Sequence, residues 1–271
     1  MGAPGAGGTV PVLLYHAVTD SPGRHVAPFS VSPAEFARQL DLVLDAGYRC
    51  VTAGELVRLR AERAAPGRLA VITFDDGYAD FATAALPALR ARSLVSTLYV
   101  TTGWLAGGGA REPGPSDPML AWSQLPELEA AGVELGAHSH SHPQLDTLGR
   151  AALDEELRRP KQLLEDALGH EVPGMAYPHG YSGPRVRRAT RAAGYGSGAA
   201  VRNALHRPDD DPFAVSRLML MRGTTTEQFG AWLAGVDGRS GSPLAGWATV
   251  GWRAYRRGRA LVRRRPGSAY R

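Results

Sequence analysis

The chain has 271 residues, 44% apolar and 21% charged, which excludes a disordered or fibrous chain and fits one large α/β domain with a full core. The net charge is +5, but residues 253–271 carry eight arginines and no acid; removing those eight charges leaves −3 over residues 1–252, which argues against a nucleic-acid-binding core. A lone cysteine, Cys50, excludes an intramolecular disulfide, no window has the ~18 apolar residues of a membrane span, and residues 1–10 lack a signal's basic and apolar regions, so the expected location is the cytoplasm.

Thr9 to His16 follows a Gly-rich leader, residues 1–9, and reads as the first strand, ending on a histidine. Gly23 to Val31 reads as a loop. Ser32-Pro33-Ala34-Glu35 has the form of a capping box with proline at the first helical position. Phe36, Leu40, Val43 and Leu44 then recur at helical spacing until Gly47. Tyr48 to Thr52 is a second strand and Gly54 to Arg63 a second helix, with Leu56 and Leu59 inward. Leu69 to Tyr78 begins as an apolar run suited to a strand buried on both faces, then meets Asp75, Asp76 and Gly77. A helix over 81–92 and a strand from Val95 to Thr101 follow. Gly103 to Pro118 is a Gly/Pro-rich loop, read as flexible or lid-like. Trp122 to Ala131 is a helix, and Val133 to His138 is a strand running into histidines. The helix from Leu148 to Leu168 contains Pro160, expected to kink or split it. Strands from Val172 to Tyr177 and Tyr195 to Val201 flank a helix from Pro184 to Ala193; Phe213 to Leu220 and a helix from Thr226 to Val236 end the series. The alternation predicts parallel βαβ units, and seven or eight strands favour a barrel over an open sheet.

Two acids at the end of a buried strand gain nothing from packing, and an unpaired buried charge is costly, so a metal or substrate partner is expected. Strand C-termini are where chemistry sits in α/β barrels. Asp-Gly is also a turn dipeptide, so a solvated turn stays open, and nothing here separates the jobs of Asp75 and Asp76. In His138-Ser139-His140-Ser141-His142, the first and last imidazoles are four residues apart. With one carboxylate they would make a two-His, one-Asp metal site with positions left for water and substrate; a polar surface loop is the alternative. His16 and His179 stand at other strand ends, and the Pro178-His179-Gly180 turn could aim an N–H at a ligand. Arg217, between apolar residues of a late strand, would either pair with a carboxylate near the site or face solvent.

Thr73-Phe74-Asp75-Asp76-Gly77 and His138-Ser139-His140-Ser141-His142 resemble, in this order and spacing, the TFDDG and H-S/T-x-x-H motifs of the polysaccharide deacetylases, carbohydrate esterase family four with its NodB homology domain. Leu13-Leu14-Tyr15-His16, Trp122 and Tyr177-Pro178-His179-Gly180 look like the branch that includes the poly-N-acetylglucosamine deacetylases. The likeness covers residues 10–235. It implies an α/β fold, a distorted (β/α)7 NodB-like barrel over residues 10–237, with an Arg-rich tail from 238 to 271. It also implies one divalent metal ion, commonly Zn2+, held by Asp76, His138 and His142. Asp75 would be the general base and His16 the general acid, with His179, Tyr177, Trp122 and Arg217 serving the oxyanion and the substrate. The metal would polarise an acetamide carbonyl and acidify a bound water, whose proton Asp75 would take. The implied activity is removal of N-acetyl groups from an N-acetylated amino sugar or polysaccharide.

Two other readings stand beside it. One is hydrolysis of another small amide, such as a cyclic imide or ureide, on the same barrel. The other is a non-catalytic glycan-binding barrel, which should have lost Asp75 or a metal ligand; none is lost. The chain departs from the family pattern at three places. Tyr177 replaces the arginine before the proline of the third motif, and His179 replaces the usual tyrosine. The late Leu-x-His motif is missing, and Leu205-His206 reads as a chance match in a polar loop. The tail interleaves Trp247, Trp252 and Tyr255 with arginines, so it would either lie on an anionic membrane or stay solvated. Vesicle co-sedimentation with and without residues 246–271 separates these two outcomes.

Overall fold

The computed structural model describes residues 8–64, 67–108 and 112–236; most of the leader and the whole Arg-rich tail lie outside these. In chain order the elements are β1 (Val12–Tyr15), β2 (Ala17–Val18), β3 (Ser30–Val31), α1 (Pro33–Asp45), β4 (Arg49–Val51), α2 (Ala53–Ala61), β5 (Leu69–Phe74), α3 (Leu86–Arg90), β6 (Ser96–Val100), α4 (Leu125–Ala130), β7 (Val133–Ala137), α5 (Arg150–Leu168), β8 (Gly174–Ala176), α6 (Pro184–Ala192), β9 (Ser197–Ala199), β10 (Leu218–Met219) and α7 (Thr226–Leu233). Eight of the strands form one sheet in the order β10-β1-β5-β6-β7-β8-β9, with β4 paired to the first half of β5. Every pairing in it is parallel, as βαβ alternation requires. The sheet curls until Val215, just before β10, bonds to the end of β9: its N–H donates to Gly198 O and its carbonyl accepts from Ala200 N, both at 2.9 Å. Closure by one bridge in place of a full strand pair makes the barrel distorted.

Strand parity divides the core in two. Leu13, Tyr15, Ile72, Phe74, Leu98, Val100, Leu135 and Met175 face outward, under the helices. Val12, Val51, Val71, Tyr99, Ala176, Ala199 and Val215 fill the barrel interior. The N-terminal end of the barrel is closed by the start of α2. Ala53 N donates to Thr97 Oγ1 (2.8 Å), and the Glu134 carboxylate accepts from Thr52 Oγ1 (2.7 Å), Gly54 N (3.0 Å) and Thr97 Oγ1 (3.0 Å).

Three local expectations change. Pro160 neither ends nor splits α5, which runs unbroken for 19 residues. The ring removes one helical N–H, but it lies on the buried face with Leu153, Leu157 and Leu164, and that packing holds both halves. The helix expected from residue 81 opens as a π-turn over Phe81–Ala85 before α3, with Pro87 at the junction supplying no N–H. The segment read as a loop before Ser32 ends in β3, which pairs with β2 as a short parallel ribbon. No helix among the described residues is long and apolar enough to cross a membrane.

Candidate active site

The chemistry-bearing side chains gather at the C-terminal rim because strand parity sends them inward. His16 continues the inward alternation of Val12 and Leu14, Asp75 that of Val71 and Thr73, and His138 that of Glu134 and Gly136. Asp76 would face outward by the same rule. Its backbone is instead left-handed, with φ +76°, and Gly77 follows at φ +93°. Aspartate tolerates this region better than most residues. The turn swings Asp76 back, so two adjacent carboxylates serve one cavity.

Asp76, His138 and His142 are all buried and bring their ligand atoms within 4.8 Å of one another. His138 Nε2 lies 3.5 Å and His142 Nε2 3.4 Å from Asp76 Oδ1. These separations match the edge of a tetrahedron with bonds of about 2.0–2.1 Å, about 3.3 Å. The donor chemistry also fits a cation. His138 Nδ1 donates to the Ala176 carbonyl at 2.9 Å, so the neutral ring carries a lone pair on Nε2, aimed at a carboxylate oxygen. That oxygen, Asp76 Oδ1, is buried and accepts no hydrogen bond. Burial, then the adjacent Asp75 charge, pushes the Asp76 pKa up to about 8, so an ionised carboxylate here needs a positive partner. Burial holds both imidazoles below their usual pKa, in the neutral form that a metal ligand requires. Ser139 Oγ accepts the His142 N–H at 3.0 Å, and the Trp104 indole lies 4.9 Å from the His142 ring.

Asp75 has a different partner. Arg217 grips it bidentately, Nη1 to Oδ1 and Nη2 to Oδ2, both at 2.7 Å. The guanidinium is fully buried and also donates from Nε to Ala200 O at 3.1 Å. Burial pushes the Asp75 carboxyl up, but Arg217, His138 and His16 outweigh it and hold it below the usual carboxylate range. Asp75 is therefore ionised and fixed in orientation, with His138 Nε2 3.7 Å from its Oδ2.

Asp75, Asp76, His138 and His142 line one cavity of about 330 Å³ together with His16, His179, Val26, Phe29, Val201 and Met219. His16 packs its ring 5.2 Å from that of Phe29, its Nδ1 is buried with no hydrogen-bond partner, and burial lowers its pKa to about 4. His179, left-handed at φ +59°, sets its ring 4.7 Å from that of His142.

Two expected site residues, Tyr177 and Trp122, lie elsewhere, and Arg217 takes the carboxylate-pairing place that its strand position left open. Tyr177 has the outward parity of Met175, so its ring packs under the helices and its hydroxyl donates to Phe213 O at 2.9 Å. Trp122 lines a separate recess with Thr102, His140, Arg159 and Asp166. Arg217 sits behind Asp75 with no exposure to the cavity, so it meets the carboxylate and not a substrate. His140 turns away from the other two motif histidines, with Nδ1 2.9 Å from Thr102 Oγ1. His206 is buried against Val10 and Asp210, away from the cavity. The loop read as a lid is anchored where it is described: Trp104 is fully buried, Gly103 N donates to His140 O at 2.8 Å and Pro118 O accepts from Ala79 N at 2.9 Å. The cavity walls Val26, Phe29, Val201 and Met219 escaped the sequence reading. Only Met219 left a sign there, two positions from Arg217 on the same strand face.

The sequence profile of the family described as Polysaccharide deacetylase matches residues 62–198. YxkH of Bacillus subtilis (strain 168), whose name assigns it provisionally to the same group, is 23% identical over 225 residues, 83% of this chain and 76% of that protein. Among solved structures, IcaB from Ammonifex degensii is 28% identical over 84% of this chain and 97% of its own, with a TM-score of 0.71. The Streptococcus pyogenes deacetylase PplD is similar in fold, with a TM-score of 0.74 at 23% identity over 85% of this chain and 99% of its own. With the profile spanning half of its length, the chain belongs to the polysaccharide deacetylase family.

Proposed function

We propose that this chain is a metal-dependent N-deacetylase: it hydrolyses the acetamide of an N-acetylated amino sugar to acetate and the free amine, with residues 10–237 as the catalytic unit. The observation that carries the reading is the convergence of Asp76, His138 and His142 beside a carboxylate locked by Arg217. A divalent cation on those three ligands, zinc by their donor set, would polarise the acetamide carbonyl and acidify the attacking water. Asp75, ionised and held off the three ligands by its two bonds to Arg217, takes the proton of that water. The His179 backbone N–H steadies the oxyanion. His16 starts neutral, its pKa lowered to about 4 by burial, and lies in the field of Asp75, which favours its imidazolium form. In this scheme the proton that Asp75 takes from the water passes to His16, which hands it to the leaving amine, so Asp75 ends ionised and His16 neutral again. A cavity of about 330 Å³, at the small end of ligand sites, suits one sugar ring and its acetamide.

The test is acetate release from chitooligosaccharides, β-1,6-linked N-acetylglucosamine oligomers and nucleotide- or lipid-linked N-acetylamino sugars. Release by zinc-loaded protein, its loss on chelation and its return with zinc are expected. His16→Ala should lower kcat by about 10²–10⁴-fold with KM little changed. No acetate from any substrate would overturn the activity, and an unchanged His16→Ala would overturn the acid.

A further inference from the structure

The turn that carries both imidazoles is held by a carboxylate the motifs do not include. Glu156, on α5, accepts the backbone N–H groups of His140 and Ser141 at Oε2, both at 2.9 Å, and Ser141 Oγ donates to its Oε1. The turn needs such support. Ser139 and His142 are left-handed, at φ +62° and +58°, a region that non-glycine residues keep only when their surroundings impose it. Its carbonyls are tied on the opposite side, Ser139 O by Thr102 N (3.3 Å) and His140 O by Gly103 N (2.8 Å). The two amides are left to Glu156.

We infer that Glu156 is a positioning residue for the metal, fixing the spacing of His138 and His142 through the backbone between them and so setting the affinity for a divalent cation. The inference rests on the metal reading above. Removing the carboxylate leaves the left-handed turn pinned on one side only, free to relax away from the 3.4–3.5 Å spacing of both imidazoles to Asp76. Partners one step beyond the ligands typically change metal affinity by about 10–100-fold.

The test is zinc affinity, read by competition with a chromophoric chelator, beside Tm for each protein. Glu156→Ala should bind zinc about 10–100-fold more weakly. Glu156→Gln should stay near wild type, because its amide oxygen can accept both N–H groups while its NH2 donates to Ser141 Oγ. Leu164→Ala, on the same helix and fully buried, should lower Tm and leave zinc affinity unchanged. Should Glu156→Ala not fold, Glu156→Asp, one methylene too short, carries the same expected weakening. Zinc uptake by Glu156→Ala equal to wild type, or weakened only as much as in Leu164→Ala, overturns the inference alone. A wild-type chain that takes up no zinc overturns the metal reading and this inference with it.

Discussion

Asp75 and Asp76 are chemically identical neighbours, and their surroundings separate their work. Asp75 has two hydrogen bonds from a buried guanidinium and is held ionised; Asp76 has a buried oxygen that accepts no hydrogen bond, between two imidazoles. A carboxylate already neutralised by arginine gains less from a cation than one that is not. Asp76→Ala should therefore lose metal and activity together. Asp75→Asn should keep metal and lose kcat by about 10²–10⁴-fold. Zinc titration and acetate release on both variants check this; normal metal binding by Asp76→Ala would show the roles to be misassigned.

At the scale of the element, alternation along a strand decides which side chains can take part. His16, Asp75, His138, Arg217 and Met219 share the inward parity of their strands, whereas Tyr177 shares that of Met175 and points under the helices. The sequence left the parity of Tyr177 open, since Met175 and Ala176 are both apolar and either could face inward; the curl of the sheet decides which does. Tyr177→Phe should leave kcat/KM unchanged and cost about 1 kcal/mol of stability, the net worth of its bond to Phe213 O. A fall in kcat/KM at unchanged Tm would restore the substrate role. Trp122 shows a different limit. It stands at the start of a 3-10 turn, where no alternation points, and its backbone is tied to the preceding loop by the bond from Trp122 N to Ala106 O at 3.0 Å.

Across the whole molecule, the barrel joins segments far apart in the chain, and the joins carry titratable groups. His206 and Val10 bond backbone to backbone, tying the segment before β1 to the one after β9. Burial lowers the His206 pKa from 6.5 to about 4; Asp210 works the other way, and the like charges of Arg60 and Arg202 add to the lowering. The folded pKa lies below the unfolded one, so between those values the unfolded chain binds more protons. The His206 contribution is full above about 6.5 and is lost as pH falls toward about 4. Urea midpoints for wild type should decline over that window, and His206→Gln should flatten the decline. Equal slopes in both would show that His206 stays uncharged or exposed.

The strand-helix alternation, the apolar runs and the two motifs are local patterns, so the sequence alone determined the barrel class, the grouping of Asp76, His138 and His142, and the family. The partners that set each group's chemistry are distant in the chain. Arg217 lies 142 residues from Asp75 and Glu156 lies 16 from His140, with no periodicity linking them. Each long-range pair depends on where a strand or helix comes to lie after the sheet curls. Only the tertiary structure could turn Arg217 from an open question into the clamp on Asp75, or move Trp122 to another recess. Adjacent residues dictate backbone and face; the dielectric, the charge partners and the walls of a cavity come from segments that meet only when the barrel closes.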